Sequence, residues 1–161
     1  MVVLFVASII TTISSQIVSA QISGPHFTAN LSGQSAFPPI ATNATGAAQF
    51  TVLEDGNTMS YIVDENNISK VSNVVVLAWT GGRPTDLIDL RIRPLEGVSA
   101  PVSGILVIGN STPSDFRNRL KGDRMSNLIK LILDGNAYVR VQTNNAPLEE
   151  IVGKIIPKVV R

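Results

Sequence analysis

Few side chains in this 161-residue chain could do chemistry, and they are scattered. There is one histidine, His26, and no cysteine. Disulfides, thiolate metal centres, iron–sulfur clusters and cysteine nucleophiles are therefore excluded, and so are zinc or copper sites built on several imidazoles. No Gly-x-Ser-x-Gly elbow accompanies His26, so it reads as a surface or strand-entry residue rather than a triad member. Carboxylates are paired at Glu54/Asp55, Asp64/Glu65 and Asp86/Asp89. The first pair belongs to an Asp-Gly turn. Asp64-Glu65-Asn66-Asn67 offers oxygen ligands for calcium but lacks the spacing of a dedicated loop, and its composition is that of a solvated turn. Asp86 and Asp89, three apart on a strand, are expected on opposite faces, which makes a poor acid–base pair. Thr80-Gly81-Gly82-Arg83-Pro84 is a turn without the Gly-Lys-Ser/Thr of a phosphate loop. Gly109-Asn110-Ser111-Thr112 reads as an ordinary helix cap. Trp79 would be a sugar-stacking platform if exposed, but its apolar neighbours Val74–Ala78 predict that it is buried.

The charge pattern offers one further candidate. The net charge is +1, with 13 basic and 12 acidic residues, which gives no global reason to bind nucleic acid. The distribution is uneven: residues 1–115 hold 4 basic and 8 acidic side chains, residues 116–161 hold 9 and 4. Arg117, Arg119, Lys121 and Arg124 form the densest basic run, either an anion-binding surface for an envelope polyanion or an ordinary solvated face. Four sequons, at Asn30, Asn43, Asn67 and Asn110, are candidate N-glycosylation sites. Glycans there would supply solubility that a chain with 16% charged residues lacks.

The elements that must position these residues follow from periodicity. Residues 1–20 carry no charge, open with the apolar run Val2–Ile10 broken by Ser8, and close on Val18-Ser19-Ala20. This reads as a secretory signal peptide cleaved after Ala20, too short to leave a stable membrane span. The first basic residue is Lys70, so the usual positive leader is missing and the true start is expected upstream of Met1. Residues 21–161 then form a single domain, long enough to bury a core without staples. Short segments rich in β-branched and aromatic residues predict strands at Phe27–Leu31, Ala47–Leu53, Met59–Val63, Ser72–Trp79, Leu87–Ile92 and Val102–Ile108. Asp55-Gly56 marks a hairpin. Thr112-Pro113-Ser114-Asp115 is a helix entrance, predicting a short helix over Phe116–Leu120 and a second over Met125–Leu133, ended by Gly135. Strands resume at Ala137–Thr143 and Ile151–Ile156. The expected fold is all-β, a Greek-key-like β-sandwich with a short helical pair inserted before the last two strands.

Several stretches resemble the chordin-type (CHRD) domain family. Phe27-Thr-Ala-Asn-Leu-Ser-Gly33, Phe37-Pro38-Pro39-Ile40 and Ala41-Thr-Asn-Ala-Thr-Gly46 resemble its opening. Leu128–Leu133 with Asp134-Gly135-Asn136-Ala137-Tyr138-Val139, and Glu150-Ile151 with Gly153 and Ile155, resemble its close. Pro38-Pro39 suits a loop or edge, and Gly46 and Gly135 are read as turn and helix-end glycines. The resemblance implies an extracellular β-sandwich module. It also implies a His-x-His pair and a third histidine, positions at which this chain carries Leu77, Trp79 and Gln142. Two apolar side chains and an amide cannot replace imidazoles, so no metal or other cofactor is expected. The function implied is a secreted or cell-surface, non-enzymatic binding or structural module. Its partner would be an extracellular protein or envelope polysaccharide. Two alternatives are an envelope polyanion binder and a metal-dependent redox enzyme resembling copper–zinc superoxide dismutase, the latter disfavoured by the missing histidines.

Overall fold

The computed structural model describes residues 24–90 and 102–158. The signal-peptide reading of residues 1–20 and the strand end at Ile92 lie outside them. The strands are β1 (His26–Ser32), β2 (Thr45–Val52), β3 (Met59–Ile68), β4 (Val71–Thr80), β5 (Arg83–Leu90), β6 (Val102–Ser111), β7 (Ala137–Thr143), β8 (Ile151–Lys154) and β9 (Ile156–Pro157). One α-helix, α1 (Met125–Leu133), precedes β7. The chain is mostly β, as expected. The described strands form one antiparallel sheet in the order β5-β4-β7-β8-β1-β2-β3-β6, with β9 on β1, curled into a half-barrel.

Alternation gives the sheet its two faces. Phe27, Ala29 and Leu31 of β1, Ala48, Phe50 and Val52 of β2, Met59, Tyr61 and Val63 of β3 and Val139 and Val141 of β7 are buried on the inner face. Met125, Leu128 and Ile132, one stripe of α1, join them in a single core. The helix boundaries coincide with those expected, and Gly135, at φ 72°, closes it as predicted.

The predicted helix over Phe116–Leu120 is absent. Its entrance is present, with Thr112 N–H donating to Asp115 Oδ2 at 2.8 Å, but it leads into a one-turn 3-10 segment, Pro113–Asp115. Phe116 then turns extended and buries its ring, Arg117 N–H donates to the Leu87 carbonyl at 2.8 Å, and Asn118 adopts φ 51°. A second one-turn segment, Asn118–Leu120, follows. Burial of Phe116 and the bond to β5 outweigh the helical preference of so short a run.

Both edge strands are bulged, and the bulges change which side chains share a face. Leu77 pairs with Asp86 and Val76 with Ile88, leaving Leu87 as the extra, buried residue. Asp86 and Asp89 therefore both face outward, correcting the expectation of opposite faces. In β6, Leu106 is the extra residue between the pairs Val63–Val107 and Asp64–Ile105. Gly46 is also not a turn residue. It lies inside β2, where a Cβ would approach the Asp64 carbonyl oxygen to 2.6 Å, so its need is for close packing.

Candidate functional site, a cleft on the outer face

Most sequence-singled residues prove structural. The turn holding Asp55 joins β2 to β3, and its carboxylate accepts from the Asn57 and Thr58 N–H groups and the Thr58 hydroxyl, bonds that hold it below its ordinary pKa. Asp64–Asn67, read as a solvated turn, instead continues β3. Asp64 Oδ1 accepts from Ala47 N–H at 3.2 Å, Asn66 Oδ1 accepts from the Ser103 hydroxyl at 2.6 Å, and Glu65 turns to the opposite, inner face. Those oxygens do not converge as calcium ligands. Among the described residues no three His, Cys, Asp or Glu side chains are placed to hold a metal ion. His26 Nδ1 lies 2.9 Å from Thr51 Oγ1, on the neighbouring strand.

The basic run is dispersed. Arg117 pairs with Asp89, and Arg119 Nη1 donates to Thr80 Oγ1 at 2.9 Å, while Lys121 and Arg124 are exposed. The hollow of about 270 Å³ beside Arg119 and Lys130 is also lined by Asp123 and Asp134, so its charge is mixed. Asn30, Asn43, Asn67 and Asn110 are all exposed.

The outer face of β4 carries an apolar stripe, Val75, Leu77 and Trp79. Val75 and Leu77 are fully buried there although they are not part of the main core. Arg140, on β7, reaches across β4 to Asp86 on β5, its Nη2 donating to Oδ1 at 2.8 Å. Its nearly buried stem covers part of the stripe. The three positions at which the resemblance implies histidines thus share one face. Leu77 and Trp79 are two apart on β4, whereas Gln142 sits across from Asn73, farther along, and its amide donates to the Pro147 and Leu148 carbonyls.

Beyond Leu77 the stripe opens into a cleft of about 310 Å³ lined by Ser35, Phe37, Trp79, Gly82, Tyr138, Glu149 and Val152. Trp79 is half-buried in its wall, which corrects the expectation of a core side chain. Gly81 and Gly82, both at positive φ, close the β4–β5 hairpin beside it. Tyr138 and Val152 project from β7 and β8 on the same face. Phe37 comes from the loop between β1 and β2. Phe37 is 75% exposed, and its ring meets Trp79 edge-on, centroids 5.7 Å apart and planes at 79°.

Two adjacent acids hold that loop in place. Glu149 Oε1 accepts from Phe37 N–H at 2.6 Å. Glu150 accepts from the Thr42 hydroxyl at 3.1 Å and the Thr143 hydroxyl at 2.6 Å. Charge-assisted bonds of this kind are the stronger class. Sequence reading singled out Trp79 but missed Phe37, Tyr138 and Glu149 as its companions. The available signal was an aromatic residue directly before Pro38-Pro39, in a segment that cannot enter a sheet interior.

Such a cleft offers aromatic surface, a few polar groups and an accessible mouth, which are the ingredients of a binding site. No helix among the described residues is long and apolar enough to cross a membrane. A family model, the CHRD domain, matches residues 27–155. No curated protein and no solved structure matches the chain. The matched span runs from β1 through β8 and takes in every residue of the cleft, and on that ground the chain belongs to the CHRD domain family.

Proposed function

We propose that this chain is a secreted or cell-surface CHRD module that works without catalysis, holding an extracellular protein or envelope polysaccharide on the outer face of its sheet. The observation that carries this reading is the cleft of Phe37, Trp79 and Tyr138. Phe37, 75% exposed and anchored through its own backbone, stands with Trp79 and Tyr138 around one concave, largely apolar site, the form a binding pocket takes. The uncharged first twenty residues support export, and the four exposed sequon asparagines support glycosylation, which the intact mass of the exported chain reads. The redox alternative lacks support, because Leu77 and Trp79 offer no ligand atom and Gln142 spends its amide on backbone carbonyls. The polyanion alternative is weakened by the engagement of Arg117 and Arg119.

Co-sedimentation with the host's envelope fraction tests the reading. Phe37→Ser with Trp79→Leu is expected to reduce the bound fraction at least ~10-fold, the loss of ~1.4 kcal/mol or more. Charge reversal of Lys121 and Arg124 should leave it within about 2-fold. The opposite pattern would transfer the function to the basic surface.

A further inference from the structure

We propose that the outer-face cleft binds a trimethylammonium group. This rests on the binding-face reading above and names the chemical group, carried by whatever that face holds, that the same cleft takes. Aromatic ring faces are electron-rich, so a cation within about 6 Å of a ring centroid is attracted, more strongly when desolvated. Three aromatic side chains line this cleft. Phe37 and Trp79 stand at 79° to one another and form a corner, whereas a flat sugar ring is best served by parallel or coplanar platforms. A corner suits a compact, nearly spherical group. The volume of about 310 Å³ accommodates that group with part of the chain bearing it.

Charge discriminates further. Glu149 is 8% exposed, and one of its oxygens is taken by Phe37 N–H. Among the described residues no donor reaches the other oxygen, Oε2, so the cleft lining holds one acid and no basic side chain. Two of the nearby cations are turned elsewhere. Arg140 is committed to Asp86, and Lys154, across from Tyr138, carries its ammonium to within 2.7 Å of where a Gly135 Cβ would lie. A quaternary ammonium needs no hydrogen-bond partner and loses less on leaving water than a primary ammonium, so it fits a site made of ring faces and one carboxylate. A primary ammonium would leave donors unsatisfied against the rings.

The chain has one tryptophan, Trp79, so tryptophan emission, excited beyond the tyrosine band, reports this cleft alone. The test titrates the purified protein with choline chloride and, separately, with its uncharged isostere 3,3-dimethyl-1-butanol, at constant ionic strength. The expected result is a saturable change with choline and at least ~10-fold weaker response to the isostere. Glu149→Gln, which keeps an acceptor for Phe37 N–H, should weaken choline about 10-fold and leave the response to the isostere within about 2-fold. Phe37→Leu, at an exposed position that does not endanger folding, should weaken choline as well. Sedimentation with phosphatidylcholine vesicles, against vesicles of phosphatidylglycerol, then separates a lipid headgroup from a free solute as the source. Equal response to choline and the isostere, or indifference of choline binding to Glu149→Gln, overturns the proposal. A Trp79 response to N-acetylglucosamine oligomers with none to choline also overturns it, yet leaves the binding-face reading standing. Loss of envelope binding specificity for the cleft overturns that reading instead.

Discussion

Gly153→Ala is expected to destabilise the domain by about 3 kcal/mol, a fall of roughly 10 °C in Tm for a chain of this size. Gly153 lies buried in β8, paired with Val139 of β7 and pressed against β1. A Cβ there would fall 2.4 Å from the Asn30 carbonyl oxygen, 2.8 Å from its carbon and 3.2 Å from Leu31 Cγ. The first two contacts are backbone, so no rotamer change relieves them, and β8 must move away from β1 at the centre of the sheet. Gly82→Ala provides the contrast. Gly82 sits in the exposed hairpin turn at φ 78° with nothing within 4 Å, so the cost is one strained backbone conformation, about 1–2 kcal/mol. Thermal and urea unfolding of the two variants measures the difference. Equal, small losses in both would show that the β1–β8 contact is looser than its geometry implies.

The second large effect is a dependence on pH written into Glu65. Its side chain is 5% exposed on the inner face of β3, and Oε2 has no hydrogen-bond partner. Burial raises its pKa from 4.5 to about 7; the neighbouring Asp64 charge adds to the rise and a backbone bond from Ile68 opposes it. The folded protein thus holds this proton more tightly than the unfolded chain. Between pH 4.5 and about 7 the unfolded state binds fewer protons, so stability falls as pH rises, and the penalty is complete above the folded pKa. Its size is on the order of 3 kcal/mol. Denaturant unfolding of wild type and Glu65→Gln at pH 5 and pH 8.5 reads it directly. The variant is expected to be the more stable of the two at high pH, and the gap should close at low pH. A gap that does not change with pH contradicts the burial of an ionisable carboxyl at that position.

The sequence disclosed periodicity faithfully and parity only in part. Met125–Leu133 and Ala137–Thr143 emerge at their expected bounds because each keeps one period, helical or alternating, from end to end. Asp86 and Asp89 were misassigned because one inserted residue, Leu87, shifts the alternation, and a bulge leaves no mark in composition. Asp64–Asn67 looked like a turn because its residues are polar. It is strand because β2 and β6 pair with Asp64–Asn66 on both sides, and Asn67, at φ 59°, is the extra residue of a bulge. Phe116–Leu120 shows the converse, a helical signal overridden by the burial of one ring.

The cleft was legible least of all. Its walls come from Ser35, Phe37, Trp79, Gly82, Tyr138, Glu149 and Val152, brought together by a sheet order that places β4, β7 and β8 side by side. Trp79 carried the one visible cue, and that cue pointed to the core because its neighbours on both faces are apolar. Burial of Val75 and Leu77 on the outer face, under the Arg140–Asp86 pair, explains how a strand can be apolar on both faces while its end remains open to a ligand.

Amide shift mapping tests the central claim most directly. Isotope-labelled protein, titrated with a detergent-free soluble extract of the host's envelope, should show its perturbations at Phe37, Trp79, Tyr138 and Val152, with the Trp79 indole resonance among the largest. Perturbations confined to Lys121–Lys130, or an unmoved Trp79 indole in the presence of bound extract, would contradict the assignment of the outer-face cleft as the binding site.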